Sequence, residues 1–203
     1  MLPHLRENNP KLHFIKHAQI RHLICAISGK RRQMSNNFVA SAFAEEMKAE
    51  YTSTRKCLER IPESLYKYKP HPTSMEMGYL TLLVAEIPLW IYLTIKQGEI
   101  NFASYNQFSL TNAEALLQHY EDSFNKAINI LDNTTADELE GKFSLKNGEE
   151  LLFSSSKKNS ISSSINHWVH HRGQLTVYMR MNNIPVPSIY GPSADEREYA
   201  QQD

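Results

Sequence analysis

Apolar residues recur every three or four positions along four separate stretches of the chain, which is the pattern of amphipathic helices. The first stretch covers 37–61 and carries charged residues on its opposite face. The second covers 74–97 and is apolar nearly all round, so we expect it at the centre of the fold. The third follows Thr111, a candidate N-cap with Glu114 three residues later, and the fourth covers 160–183. The pattern therefore predicts four long helices.

Proline, glycine and turn residues separate these helices. Gly98 ends the second helix, and prolines follow the first and the fourth. Between the third and fourth helices, the turn residues of 146–148 lie between the apolar runs 143–145 and 151–153, which predicts a loose hairpin or an irregular segment. The sequence thus predicts an all-α fold, a four-helix bundle. An extended C-terminal arm after Pro185 is expected to pack over it.

The charge of the chain is distributed unevenly. The 203 residues carry 22 basic and 22 acidic side chains, but 1–33 hold seven basic residues against one acidic, which gives +6 there and −6 in the remainder. We therefore divide the chain into a basic extension 1–33, a bundle 34–196 and a tail 197–203. The extension is expected to be disordered or to lie outside a natural domain that starts at Met34. An acidic body argues against nucleic acid as a partner.

Membrane and redox signals are weak. The apolar stretch 80–95 contains Glu86 and Pro88 and falls short of the ~20 apolar residues that span a bilayer, so we expect no membrane helix and no membrane partner. The apolar run 23–27 is too short for a signal-peptide core. Cys25 and Cys57 form no CxxC motif and fit a reducing cytoplasm. We therefore expect a cytoplasmic protein with a small apolar Cys57.

The fourth helix carries the candidate chemistry. His167 and His171 are four residues apart, so on a helix both imidazoles project from one face and reach one divalent ion such as zinc, nickel, iron or copper. His170 offers a competing pair with His167. We prefer His171 because Leu175 and Tyr178 continue its apolar stripe. The predicted metal ligands are therefore His167 and His171.

Two imidazoles fall short of the three protein ligands that are typical of a catalytic metal site. Candidates for a third donor are Glu86, His71 and His119, although His119 falls between the apolar positions of its helix and is expected to be solvated. A carboxylate in an apolar helix is costly unless it is paired or metal-bound. Glu86 is therefore either a ligand or the partner of a cation such as Arg172.

Six segments occur in an order that resembles the DinB/YfiT-like family over 34–196. These segments are KPHP at 69–72, SM at 74–75, AEIPLW at 85–90, SLK at 144–146, NHWVHHRGQL at 166–175 and IPVPSIYGPSADE at 184–196. The resemblance implies a four-helix bundle, often a homodimer, in which three histidines hold a divalent metal ion. Two of them come from an H-x-x-x-H motif on the fourth helix, which corresponds to His167 and His171.

The departure from the family pattern lies on the second helix. The family places its first histidine three residues before the acidic residue of the segment at 85–90, and this chain has Leu83 there. The loss of one of three neutral ligands is expected to weaken binding of zinc, nickel or iron, or to abolish it. Glu86, His71 or water would then have to complete the site.

Relatives in the family include thiol S-transferases that use bacillithiol-type or mycothiol-type cofactors, a maleylpyruvate isomerase and metal-dependent hydrolases. The resemblance therefore implies two hypotheses. The first is a metal-dependent transferase or hydrolase with an altered histidine triad, acting on a low-molecular-weight thiol or another small molecule. The second is a metal-free, non-catalytic bundle that acts as a dimeric binding module. The sequence assigns no catalytic residue under either hypothesis.

Overall fold

Long helices dominate the computed structural model, which describes residues 38–197. The extension 1–33, its Cys25 and the tail beyond 197 lie outside the described residues. A short 3-10 turn, Glu63–Leu65, lies between the first two helices. The helices are α1 (38–59), α2 (Met77–Lys96), α3 (Ala113–Asp132), α4 (Ala136–Glu140) and α5 (Lys157–Met181).

The helix ends differ from the predicted ones by a few residues. Thr111 does not cap α3, because Asn112 takes the N-cap position and its Oδ1 accepts the N–H of Ala115. The capping box occurs instead at the start of α4, between Thr135 and Glu138. Ser156 caps α5 and starts it three residues earlier than the periodicity predicts. Asn and Ser are as good N-caps as Thr, so composition alone does not select between neighbouring positions.

The prediction of a helical fold is confirmed in part, because the described chain is mostly helical but also contains a three-stranded sheet, which an all-α fold does not have. The predicted hairpin is confirmed as an antiparallel pair, and the sequence analysis missed the strand that pairs in parallel with its first strand. That strand has only three residues and its partner lies more than forty residues away, so it leaves no local periodicity. The strands are β1 (Glu99–Asn101), β2 (Lys142–Asn147) and β3 (Glu150–Ser156).

Two glycines with positive φ make the turns of this sheet possible. Gly98 has φ +70° between α2 and β1, and Gly148 has φ +60° in the turn between β2 and β3. The side chain of Asn101 holds the second turn, since its Nδ2 donates to the Gly148 carbonyl (3.0 Å) and its Oδ1 accepts the Gly148 N–H (2.9 Å). The start of α5, directly after β3, is tied to the end of α2 through the ammonium of Lys157, which donates to the Ile95 carbonyl (2.7 Å).

The apolar helix α2 lies in the core, as predicted, between α3 and α5. By length and composition α2 is also the one helix of the described chain that would suffice to cross a bilayer, but 72% of its apolar window is buried inside the fold. Two contacts align α2 and α5 in antiparallel directions. The Tyr178 hydroxyl donates to the Met75 carbonyl at one end, and the rings of Trp90 and His167 lie 5.9 Å apart at the other.

The first helix closes the bundle and anchors the arm. Tyr51 of α1 stacks on Tyr120 of α3, and Glu50 forms an ion pair with Arg172 of α5. Arg172 therefore pairs with Glu50 and not with Glu86, which corrects the alternative prediction for Glu86. The arm packs against the bundle as expected, because Tyr190 reaches the ion pair and the backbone around Ser188 is buried there.

Candidate metal site

The two predicted ligands meet on one face of α5. The Nε2 atoms of His167 and His171 lie 2.6 Å apart, and His171 is buried while His167 is half-buried. His170 is exposed to solvent on another side of the helix. The structure therefore brings together the pair that the apolar stripe favours and leaves the competing histidine outside it.

A glutamine one turn further along fixes the tautomer of His171. Its Nδ1 lies 2.7 Å from Oε1 of Gln174, and an amide oxygen can only accept, so we assign the proton to Nδ1. Nε2 of His171 then carries a lone pair, and Nε2–H of His167 donates to it. A partner on the far ring nitrogen is the usual support of a metal-bound histidine. Sequence reasoning missed Gln174, although its i,i+3 spacing from His171 was a usable signal.

The surroundings of His167 favour its neutral form. Burial, followed by the neighbouring imidazoles of His171 and His170, lowers the pKa of His167 below its usual 6.5. Neutral imidazole is the form that binds a metal ion. The 2.6 Å separation is that of two nitrogens sharing one proton, whereas two ligands of one tetrahedral ion lie about 3.4 Å apart at metal–nitrogen bonds of about 2.1 Å. A metal ion held by both nitrogens would therefore replace the shared proton and would require the two rings to move slightly apart.

No third donor of the expected kind joins the pair. The described residues contain no group of three or more His, Cys, Asp or Glu that could hold a metal ion. His71 is exposed and its Nδ1 contacts the Thr73 hydroxyl (2.8 Å), and Glu86 has other partners. The donor set that fits a metal ion is therefore the two imidazoles, with the remaining positions open.

Leu83 stands at the sequence position on α2 where the family resemblance implies a third ligand. The two contacts that align α2 with α5 put Leu83 at the height of His171. Leu83 is also seven residues before Trp90, two helical turns away on the same face, and the Trp90 ring lies beside His167. Leu83 is buried. The apolar side chain therefore stands on the face of α2 that looks towards the histidine pair.

Beyond Trp90 a second polar cluster connects α2, α3 and the loop 102–112. The Trp90 Nε1–H donates to the Tyr105 hydroxyl (3.0 Å), and the phenol of Tyr105 lies beside the carboxylate of Glu86. Burial, followed by this carboxylate, raises the pKa of Tyr105. Sequence reasoning missed Tyr105, because its loop has no periodicity that indicates what it covers.

Glu86 itself points towards α3. Its Oε1 accepts the backbone N–H of Phe108 (3.1 Å) and lies 3.8 Å from Nε2 of His119. The prediction that His119 is solvated is wrong, because the loop folds over it and the Phe108 ring stacks on its imidazole at 4.1 Å. Burial lowers the pKa of His119, and the Glu86 charge opposes this in part.

Known proteins with similar sequence or structure agree on one family. The sequence model of the DinB family matches residues 34–203. The uncharacterized protein YrdA of Bacillus subtilis strain 168 is 29% identical over 156 residues, which are 75% of this chain and 77% of YrdA.

Two solved structures share the fold. A DinB-like protein of Bacillus subtilis, YjoA, superimposes with a TM-score of 0.58 at 21% identity, over 79% of this chain and 99% of YjoA. A DinB-like protein of Bacillus cereus ATCC 10987 gives a TM-score of 0.54 at 19% identity, over 75% and 95% of the two chains. The resemblance of the six sequence segments is thereby confirmed, and the chain belongs to the DinB family.

Proposed function

We propose that this protein is a metal-dependent transferase of the thiol S-transferase type, or a hydrolase, in which His167 and His171 bind a divalent ion such as zinc, nickel or iron. One observation carries the proposal: the two Nε2 atoms converge while Gln174 holds the proton on the far side of His171. Two neutral imidazoles suit all three metals.

Each residue of the site has a distinct task. His167 and His171 supply the lone pairs, and Gln174 orients the second ring so that its Nε2 stays free of a proton. The ring of Trp90 forms an apolar wall beside His167 and limits access of water from that side. A divalent ion in this position lowers the pKa of a bound thiol or water and so supplies a nucleophile at neutral pH. The positions that the protein leaves open are available to a small thiol or a hydrolysable substrate.

Leu83 supports a second candidate function. Its apolar side chain stands where the family resemblance implies a histidine, and the described residues offer no third His, Cys, Asp or Glu at the pair. A bundle with only two ligands binds metal weakly. The alternative is therefore a metal-free dimeric bundle that acts as a binding module.

Metal content separates the two functions. We would measure it by elemental mass spectrometry on untagged protein purified without chelator, for the natural chain and for the variants His171→Ala and Leu83→His. His170→Ala is the matched control, because this neighbouring histidine is exposed and lies outside the pair. Every variant retains the histidines of residues 1–33, so the comparison between variants cancels any metal that they bind.

The catalytic proposal expects His171→Ala to carry about one metal ion per chain fewer than the natural chain, while His170→Ala matches the natural chain. That result would justify assays of thiol transfer with low-molecular-weight thiols and of ester or amide hydrolysis. If His171→Ala carries as much metal as the natural chain, the pair is not an occupied site. If in addition Leu83→His gains about one ion per chain, as three histidine ligands predict, the binding-module function is the better one.

A further inference from the structure

Glu86 is a buried carboxylate whose hydrogen bonds are incomplete. Its side chain is fully buried, and Oε1 accepts a single backbone N–H, that of Phe108. Oε2 has no hydrogen-bond partner among the described residues. A buried charge that is not fully compensated costs several kcal/mol, so native proteins pair it or bind it to a metal ion. The second oxygen of Glu86 therefore indicates a ligand.

The nearest side chain across from Glu86 is unsatisfied too. Nε2 of His119 is buried, has no hydrogen-bond partner among the described residues and lies 3.8 Å from Glu86 Oε1. That distance is too long for a direct hydrogen bond. Phe108 stacks on the imidazole at an angle of 14° and so fixes the direction in which Nε2 points.

A neutral His119 explains why the two groups do not simply form an ion pair. Burial outweighs the attraction of Glu86 and lowers the pKa of His119, which favours the neutral ring. When Nδ1 carries the proton, the neutral ring of His119 presents a lone pair on Nε2. Oε2 of Glu86 presents a lone pair as well. A carboxylate oxygen and an imidazole nitrogen that are both buried without a hydrogen-bond partner are ligand atoms that suit a divalent cation.

We propose that Glu86 and His119 bind a divalent cation such as Zn²⁺, at a site separate from the histidine pair of α5. With metal–ligand bonds of about 2.1 Å, two ligands of one tetrahedral ion lie about 3.4 Å apart. The distance from His119 Nε2 to Glu86 Oε1 is 3.8 Å, which is close to this, and Oε2 of the same carboxylate has no hydrogen-bond partner among the described residues. The Tyr105 hydroxyl interacts with the same carboxylate from the side of the loop. Such an ion would tie α2, α3 and the loop 102–112 together on the far side of Trp90. The inference does not depend on the function proposed for His167 and His171.

Zinc binding by matched variants tests the site. Protein stripped with chelator is dialysed against Zn²⁺, and the bound zinc is counted for the natural chain, Glu86→Gln, His119→Gln and His171→Ala. Glu86→Gln keeps an oxygen that can accept the Phe108 N–H, and His119→Gln changes a side chain near the surface, so both variants are expected to fold. His71→Gln is the control, since His71 is exposed and contacts only its own loop.

We expect Glu86→Gln and His119→Gln each to bind one zinc ion fewer than the natural chain, while His71→Gln matches it. His171→Ala should retain the ion at Glu86 and His119, whereas the double variant Glu86→Gln/His171→Ala should lose it. Failure of this site and failure of the α5 site therefore give different zinc counts across the variants. Anomalous scattering from a zinc-loaded crystal of the natural chain should place a peak between Glu86 and His119. Unchanged zinc stoichiometry in both single variants, or a crystal without that peak, would overturn the proposal.

Discussion

The ion pair between Glu50 and Arg172 is almost fully buried, and Glu50→Gln tests what it contributes to stability. Arg172 Nη1 lies 2.5 Å from Glu50 Oε2, with the two side chains only 1% and 11% exposed. The Tyr190 hydroxyl accepts from Arg172 Nη2 and donates to Glu50 Oε1, both at 3.0 Å. The substitution keeps the shape of Glu50, removes its charge and replaces one of its two accepting oxygens by an NH2 donor.

The magnitude follows from what remains around Arg172. Removing one partner of a buried ion pair costs about 3–5 kcal/mol, because the other charge stays buried without compensation. Arg172 would still donate to the Thr54 hydroxyl (3.0 Å) and the Glu50 carbonyl (3.3 Å). We therefore expect the lower end, a loss of about 3 kcal/mol in the free energy of unfolding. This is a large part of the ~5–15 kcal/mol that stabilises a typical domain.

Urea denaturation followed by tryptophan fluorescence measures this loss, with the buried Trp168 as the internal probe. Glu45→Gln is the matched control, because this side chain on the same helix is 73% exposed and pairs only with Lys48 across one turn. The control should change stability by less than about 0.5 kcal/mol. If Glu50→Gln costs no more than Glu45→Gln, Arg172 does not depend on the carboxylate and our reasoning about the arm anchor is wrong.

Three smaller predictions rest on other contacts. The pKa of His119 is lowered in the folded chain, so on acidification the unfolded chain, with its usual pKa near 6.5, takes up a proton first and stability falls as the pH drops through and below 6.5. With chelator present, this loss of melting temperature should be smaller in His119→Gln. An equal loss would contradict the lowered pKa of His119. Burial raises the pKa of Cys57 to about 12, so in a Cys25→Ser variant a thiol reagent should label Cys57 only when the protein unfolds. Rapid labelling of the native protein would refute the burial of this thiol. Asn101→Ala removes both side-chain hydrogen bonds to Gly148 and should lower the free energy of unfolding, measured by urea denaturation, by about 1–2 kcal/mol. An unchanged urea midpoint would show that the turn is stable without these two bonds.

The long helices were predictable because each buries a stripe that repeats over five or more turns, and that signal survives errors at single positions. The sheet was only half predictable. The β2–β3 hairpin is local and carries Gly148 in its turn, whereas β1 has three residues that pair with a strand distant in sequence. Short parallel pairings are determined by how the helices pack, and no single stretch of sequence encodes them.

The candidate site was predictable to the extent that its residues share one helix. The i,i+4 spacing alone places His167 and His171 on one face, and the structure brings their Nε2 atoms together. The partners of Glu86 were not predictable, because they depend on how the loop 102–112 folds over α3. The sequence could not show that Arg172 pairs with Glu50 either, because that contact depends on how α1 packs against α5.

The contacts of Glu86 also explain why it does not replace the missing histidine of α2. Its Oε1 accepts the backbone N–H of Phe108 and faces His119, so moving it would break a buried hydrogen bond and leave the loop N–H unsatisfied. Such a loss costs about 1–3 kcal/mol before any metal bond forms. Leu83 is not tied to any polar group and stands at the height of His171. A metal site with three protein ligands is therefore reached more readily by changing position 83 than by rearranging Glu86.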